Sequence, residues 1–219
     1  MPRALFEKTG NAVWISHLDT MRLFQRAFKR ASLPLTHTQG FNPRPSVSIA
    51  LPLSVGVESA CELLDFDLEG EIPSGEEICR RLNEALVEGV RVLSVYDNGS
   101  KIKNLALLRC FVDLEYDHGA PCGAEDGIRQ LFSGASLLVE KKGKNGMTDQ
   151  DIIPMIRKLE IRQTDFNTLT LEALICCQNP TLNPMQLQAA ICRYLPEFKP
   201  DFSKCRRAEL YDANENVFR

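Results

Sequence analysis

The sequence of 219 residues lacks a long hydrophobic run. Its apolar stretches are far shorter than the roughly 20 residues that a membrane-spanning helix needs. The first residues also lack the basic, then apolar, then small-residue succession of a secretory signal. We therefore expect a cytoplasmic protein that makes no use of a membrane.

The sequence also lacks the motifs of several enzyme classes. It contains no phosphate-binding loop, dinucleotide-binding glycine fingerprint, nucleophile elbow or zinc-protease helix. Its eight cysteines include no Cys-x-x-Cys pair and no iron–sulfur triplet. Cys110 shares a strand face with apolar residues, and the expected compartment is reducing. We therefore expect structural thiols, no metal and no cofactor; a metal site shared by distant cysteines is the alternative.

The charge is small overall and unevenly distributed. The net charge of −3 and a charged fraction of 25% are those of an ordinary globular protein, not of a polycation. Residues 1–55 hold seven Lys/Arg and two Asp/Glu, whereas residues 56–100 hold three Lys/Arg and eleven Asp/Glu. The two segments could pair with each other in the fold. Alternatively, the basic segment forms an anion-binding face beside an acidic surface with another use.

Hydrophobic periodicity predicts the same order of elements in both halves of the chain. In the first half we expect strands at 2–8, 12–15, 35–39, 46–53, 62–70 and 90–97, and helices beginning at His17 and after Ser74. The polar stretch 98–104 predicts a domain boundary, and the piece 149–158 is expected to be helical or irregular. The class is α+β: two ferredoxin-like (βαββαβ) domains with antiparallel sheets, over residues 1–100 and 105–219.

The clearest predicted helix has two different faces. Ser16 and Asp19 have the spacing of a capping box at its start, and Pro34 follows its end. Its polar arc carries Arg22, Arg26, Lys29 and Arg30 without an acid among them. Such a row of cations suits the phosphates of a nucleic acid. The alternative is a solvated face that pairs with the acidic 56–100 segment.

The segment GFNPRP at residues 40–45 is an unusual loop. Two prolines stiffen it, and Phe41 is a large apolar side chain in a polar turn. Phe41, Asn42 and Arg44 together offer an aromatic ring, an amide and a guanidinium group, which suits an unpaired RNA base. The alternatives are a simple connection and a core role for Phe41.

Two further groups of residues are candidates for chemistry or binding. His17 lies in the first turn of the basic helix, two residues before Asp19, and could act as a general base on a ribose hydroxyl. A structural role for His17 is the alternative. Lys141, Lys142 and Lys144 form a small basic cluster at a turn, which either aids solubility or extends an anion-binding surface.

One family resembles the first 70 residues closely. The residues that carry the resemblance include Ser16-His17-Leu18-Asp19, Arg22, Arg26, Arg30, Gly40-Phe41-Asn42-Pro43, Pro45, Gly56, Glu62 and Asp65. The chain is similar to the uncharacterised radical-SAM-associated (radical-SAM-linked) proteins. That family occurs alone or fused behind a radical-SAM enzyme, often encoded near an RNase E/G-type ribonuclease. It usually has His where this chain has Arg44, and this chain lacks the radical-SAM Cys-x-x-x-Cys-x-x-Cys motif.

The sequence therefore predicts an accessory protein that binds RNA or a ribonucleoprotein. The resemblance implies that it presents a substrate to a radical-SAM enzyme acting in trans, without an iron–sulfur cluster of its own. Arg22, Arg26, Lys29 and Arg30 would hold phosphates, and Phe41, Asn42 and Arg44 would bind an unpaired base. The alternatives are a metal-independent endoribonuclease that uses His17 and a protein-only adaptor.

Overall fold

The computed structural model of the chain describes residues 1–143 and 146–219. The chain divides into two compact units: residues 1–102 with Arg219 form the N-terminal unit, and residues 103–218 form the C-terminal unit. None of the helices among the described residues has the length and apolar character needed to cross a bilayer.

The N-terminal unit has four strands and two α-helices. They are β1 (Arg3–Lys8), α1 (His17–Arg30), β2 (Val47–Ile49), β3 (Val57–Phe66), α2 (Gly75–Ala85) and β4 (Val90–Tyr96). β1 pairs antiparallel with both β3 and β4, and β2 pairs antiparallel with β3. The strand order within the unit is therefore β4-β1-β3-β2.

The C-terminal unit repeats this order and adds a hairpin. Its elements are β5 (Leu105–Glu115), α3 (Ala124–Phe132), β6 (Leu138–Gly143), β7 (Gly146–Asp151), β8 (Ile156–Asp165), β9 (Thr168–Cys176), α4 (Met185–Tyr194) and β10 (Phe202–Asp212). β5 pairs antiparallel with β10 and β9, and β9 with β8, so the strand order is β10-β5-β9-β8. β6 and β7 pair with each other. The α+β class with antiparallel pairing, expected from the sequence, is confirmed.

The core of the N-terminal unit lies between its two helices and one face of its sheet. Buried side chains of α1 and α2 pack against those of β1, β3 and β4 in one cluster. The rings of Phe6 and Phe24 lie 4.7 Å apart, and those of Phe28 and Phe66 lie 4.9 Å apart. Each such aromatic pair adds about 1 kcal/mol beyond the area that it buries. These contacts fix α1 on the sheet, with its opposite side facing solvent.

Three predicted segments differ from the structure. Residues 12–15 are not a strand, because a 3-10 helix runs over Gly10–Trp14. Lys8 explains this difference, since its Nζ donates to the carbonyl oxygens of Val13 and Ile15, which therefore need no partner strand. The second difference concerns the strands predicted at 35–39 and 46–53, of which only Val47–Ile49 is a regular strand, although Leu35 and His37 form isolated bridges.

The third difference is the segment 149–158, in which the expected helical piece is confirmed only as the 3-10 helix Ile153–Met155, between the end of β7 and the beginning of β8. β7 has the polar sequence GMTDQD, and its side chains are mostly exposed. A hairpin that buries little apolar surface lacks the alternation from which strands are recognised. The pattern therefore missed it.

Candidate nucleic-acid interface

The start of α1 is fixed by Ser16. Its Oγ accepts a hydrogen bond from the backbone N–H of Asp19 at 3.2 Å and donates to Asp19 Oδ2 at 2.7 Å. The predicted N-cap is confirmed. The cap holds the Asp19 carboxylate over the first turn, where it compensates the positive end of the helix.

The four cations of α1, called here the basic stripe (Arg22, Arg26, Lys29 and Arg30), are all exposed. The expectation of no acid beside them is wrong at one position, because Arg22 Nη1 lies 2.8 Å from Asp19 Oδ1. Both partners are more than half exposed, so this ion pair stabilises the fold little and is easily exchanged for a phosphate.

None of the other three cations of the basic stripe lies within ion-pair distance of a carboxylate among the described residues, although the Ser16 hydrogen bond and, to a smaller extent, the charge of Arg26 lower the pKa of Asp19. Arg30 Nη2 donates to the backbone oxygen of Ala85 at 2.5 Å, which directs its guanidinium group but does not neutralise it. A row of exposed positive charge therefore remains along α1.

The acidic 56–100 segment does not neutralise the basic stripe within the described part of the chain. It neutralises cations of its own on α2: Glu77 lies 2.8 Å from Arg80 and 2.6 Å from Arg81, and Glu84 lies 2.6 Å from Arg80. Hydrogen bonds from Arg80 and then Arg81 lower the pKa of Glu77 to about 2. The two helices that share a sheet face thus differ in charge, α2 being internally paired and α1 positive.

The GFNPRP loop, residues 40–45, is held at its base. Thr38 braces it, because its backbone N–H donates to the Arg44 carbonyl at 2.8 Å and its Oγ1 accepts from the Arg44 N–H at 3.0 Å. At the tip Phe41 is 100% exposed, and Asn42 and Arg44 are exposed as well. The structure therefore rules out the core role for Phe41.

The loop and the basic stripe lie on neighbouring elements. The loop leads into β2, which pairs with β3 at one end of the strand order. Val47 and Ile49 of β2 pack against the core cluster that also contains Phe24 and Phe28 of α1. The seven candidates on these elements, four in the basic stripe and three in the loop, thus lie in two segments of one unit whose buried sides share a core.

His17 lies at a small cavity whose lining includes charged side chains. We call this site the charged pocket; it is lined by Phe6, Lys8, His17, Thr20, Ile49, Leu53 and Glu62. Lys8 and Glu62 are only 1% and 3% exposed. Ser59 Oγ donates to Glu62 Oε1 at 2.7 Å. The cavity measures about 10 Å³, which is room for a single water molecule.

The charged pocket differs from the predicted site in its acidic residue. The Asp19 carboxylate binds Ser16 and Arg22, and no hydrogen bond joins it to His17 among the described residues. Glu62 lines the same pocket as His17 instead. Sequence reasoning missed Lys8 as a site residue. A signal existed, because Lys8 follows Ala4 and Phe6 at strand spacing, on the side that the alternation assigns to the core.

The lysine cluster belongs to the C-terminal unit, on the β6–β7 hairpin. Lys141 Nζ donates to the Thr181 carbonyl at 3.3 Å. The side chain of Lys142 and the whole of Lys144 lie outside the described residues.

All eight cysteines are free, and burial raises the pKa of Cys177 and of Cys205 to about 12. A thiol with so high a pKa is a poor nucleophile and a poor metal ligand. No group of three or more His, Cys, Asp or Glu side chains is arranged to hold a metal ion in the described part of the chain.

Comparison with solved structures shows a shared fold. A chain in a crystal structure of a Cbf5-Nop10-Gar1 complex is similar, with a TM-score of 0.53 at 9% sequence identity, over 95% of this chain and 48% of that one. This chain thus spans about half of the length of that protein. A second similar structure is that of an unknown protein from Galdieria sulphuraria, with a TM-score of 0.27, 12% identity, and coverage of 94% and 96%.

No curated protein matches the sequence. A family model, in contrast, matches residues 2–184, which include every described candidate residue discussed above. The chain therefore belongs to the family described as uncharacterized proteins conserved in bacteria (DUF2344).

Proposed function

We propose that this protein binds RNA or a ribonucleoprotein and presents it to a radical-SAM enzyme that acts in trans. The N-terminal unit makes the contacts, the chain works in the cytoplasm, and the chemistry belongs to the partner enzyme. The observation that carries this proposal is the row of four exposed cations on α1, of which only Arg22 forms an ion pair among the described residues, together with a braced loop of the same unit that has a fully exposed aromatic ring.

The basic stripe contacts phosphates. Arg26, Lys29 and Arg30 stand on one exposed side of α1, and Arg22 exchanges Asp19 for a phosphate oxygen. Each cation that meets a phosphate releases condensed counterions, which favours binding at low salt. The internally paired cations of α2 lack this capacity, because their charge is already compensated.

The GFNPRP loop contacts a base. An aromatic ring that is fully exposed gains by stacking on a base about 1–3 kcal/mol. Asn42 and Arg44 flank Phe41 with hydrogen-bond donors for the base edge or the neighbouring phosphate. The bracing by Thr38 lowers the entropy that the loop loses on binding. Lys141, Lys142 and Lys144 add further contacts to phosphates from the C-terminal unit.

The fold itself suits this role. The orders β4-β1-β3-β2 and β10-β5-β9-β8, with the element order βαββαβ, support two ferredoxin-like domains over residues 1–100 and 105–219. The chain has no Cys-x-x-x-Cys-x-x-Cys motif, so an accessory role fits better than radical chemistry of its own.

The test measures the binding of a single-stranded RNA of about 20 nucleotides as a function of salt. The variant Arg26→Glu/Lys29→Glu should bind at least tenfold more weakly, and its logarithmic salt slope should fall by about 1.4. The control Lys101→Glu/Lys199→Glu changes the net charge equally at two exposed positions elsewhere and should behave as the wild type. Equal affinity and equal slope in wild type and stripe variant would overturn the proposal.

A second candidate function is metal-independent cleavage of RNA by His17, which is partly exposed and lines the charged pocket together with Lys8 and Glu62. His17 takes the proton of a ribose 2′-hydroxyl, and the oxygen attacks the adjacent phosphorus to form a 2′,3′-cyclic phosphate. The bond from phosphorus to the 5′-oxygen of the next nucleotide breaks, and that oxygen takes a proton from water. Cleavage of total RNA that persists in EDTA and disappears in His17→Ala would support it. Its absence from wild-type protein would leave the accessory role as the function.

A further inference from the structure

The C-terminal unit contains a cavity that the proposed function does not use. It has a volume of about 630 Å³, within the range of small-molecule sites. Its lining comes from the beginnings of β5 and β8, the end of β9 with the turn that follows, and the end of β10. Four strands of one sheet thus supply a site at a single end of that sheet.

The charges in this cavity favour an anion. Lys103 and Arg157 both line it and are exposed, and neither forms an ion pair or a side-chain hydrogen bond among the described residues. Asp212 is the acid in the lining, so positive charge exceeds negative charge. Two cations without partners on one cavity suit a doubly charged group such as a phosphomonoester.

Asp212 is fixed in place and stays ionised. Its Oδ1 accepts from the backbone N–H groups of Asn214 and Asn216 at 2.8 and 2.9 Å, and its Oδ2 accepts from Asn216 Nδ2 at 3.2 Å. These bonds, those from Asn216 first, lower its pKa below the usual value. A fixed carboxylate with lone pairs to spare is a good acceptor for ribose hydroxyl groups.

The rest of the lining suits a base. Asn104, Asn179 and Asn214 present amides, each with both donors and acceptors, around an apolar floor that includes Leu107 and Pro180. An amide pairs with the edge of a base, and an apolar floor accepts its face. The volume exceeds by far what a lone phosphate ion needs.

We propose that this cavity binds a phosphorylated ribonucleoside. Lys103 and Arg157 hold the phosphate, Asp212 accepts hydrogen bonds from the ribose, and the asparagine amides contact the base. The shared chemistry is a nucleotide with a terminal phosphate, either free in solution or at the end of an RNA chain. The site is independent of the basic stripe, so it stands whether or not α1 binds RNA.

Calorimetric titration of the full chain with AMP and UMP tests the site. Saturable binding is expected, and it should weaken at least tenfold in Lys103→Gln/Arg157→Gln, because two charge-assisted hydrogen bonds are lost. Lys101→Gln/Lys199→Gln removes two equally exposed cations outside the cavity and should leave the affinity unchanged. The stripe variant Arg26→Glu/Lys29→Glu should also bind AMP as the wild type does.

Further titrations identify the source of the ligand. Inorganic phosphate and adenosine should each bind more than tenfold more weakly than AMP. A tetraribonucleotide with a 5′-phosphate that competes with AMP and binds more tightly supports the RNA end as ligand, and one that binds more weakly supports the free nucleotide. Absence of saturable AMP binding, equal affinity for phosphate and AMP, or no effect of Lys103→Gln/Arg157→Gln would overturn the proposal.

Discussion

The first helices of the two units, α1 and α3, hold the same place in the same order of elements but differ in charge. α3 has one arginine, Arg129, which lies 2.6 Å from Glu125 and 2.8 Å from Asp126. α1 has four cations and a single acid, Asp19, which reaches Arg22. The two helices differ because α3 has two carboxylates within one turn of its arginine, whereas α1 has one carboxylate for four cations. The same topology therefore does not determine what a helix binds; its exposed residues do.

The units also differ in what they bury. Lys8, Ser59 and Glu62 of the N-terminal unit are buried, whereas the first strand of the C-terminal unit buries apolar side chains such as Cys110, Val112 and Leu114. Buried ionisable groups cost free energy unless they are hydrogen-bonded, and they cluster at functional sites.

The largest expected effect concerns the buried lysine. Lys8→Met leaves the Ile15 carbonyl without its donor, removes one of the two donors to the Val13 carbonyl, which keeps the Gly56 N–H, and leaves Glu62 without a nearby buried cation, so the free energy of unfolding should fall by about 3 kcal/mol. Urea denaturation measures the loss, and Lys199→Met, at an exposed position, is the control. A loss below about 0.5 kcal/mol would show that the N-terminal unit does not depend on its buried charge.

A pair of glycines, one in each unit, separates backbone strain from steric overlap. Gly89 and Gly123 have nearly equal φ angles of +82° and +79°, but a Cβ on Gly89 would overlap Thr9 and Ala12, whereas one on Gly123 would meet nothing. Gly123→Ala should cost about 1 kcal/mol for its left-handed backbone. Gly89→Ala should cost about 1–2 kcal/mol more. Equal thermal shifts in the two variants would contradict this geometry.

Each unit also carries an exposed phenylalanine at the turn of a hairpin, Phe41 and Phe166. Phe41 is 100% exposed, whereas Phe166 is 75% exposed and its ring lies against Gly119. Phe41→Ala should weaken binding of single-stranded RNA roughly tenfold and leave the urea midpoint unchanged. Phe166→Ala should lower the urea midpoint and leave the affinity for single-stranded RNA unchanged. Unchanged RNA affinity in Phe41→Ala would remove the loop from the interface.

The smallest effect concerns acid stability through the paired charges of α2. The pKa of Glu77 is lowered to about 2, so its ionised form favours the folded state. Its contribution is therefore present above about pH 4.5 and is lost as the pH falls towards 2. Glu77→Gln should lose less stability than the wild type between pH 5 and 2.5 in urea titrations. An equal loss would show that the exposed Glu77 pairs contribute nothing measurable.

The repeated order of elements and the capping of α1 could be predicted from the sequence because both depend on local patterns. Apolar spacing in the helix and the Ser16–Asp19 pair act within a few residues. The bounds of the irregular regions could not be predicted from the sequence. The 3-10 helix at Gly10–Trp14 depends on the Lys8 side chain, and β7 depends on pairing with β6. The loop candidates could be named from the sequence because the role proposed for Phe41 depends on its exposure and not on a contact with a distant residue.

The sequence by itself determined the class and the row of cations on one side of α1, since these follow from residue type and short-range spacing, whereas the exposure of Phe41 was decided by the structure. Tertiary structure alone decided which distant residues meet. It placed His17 with Lys8 and Glu62 at one cavity, and it gathered Lys103, Arg157 and Asp212 from segments distant in sequence. The reason is physical: an ion pair or a cavity depends on distances of a few ångströms, and residues far apart along the chain acquire those distances only when the sheet forms.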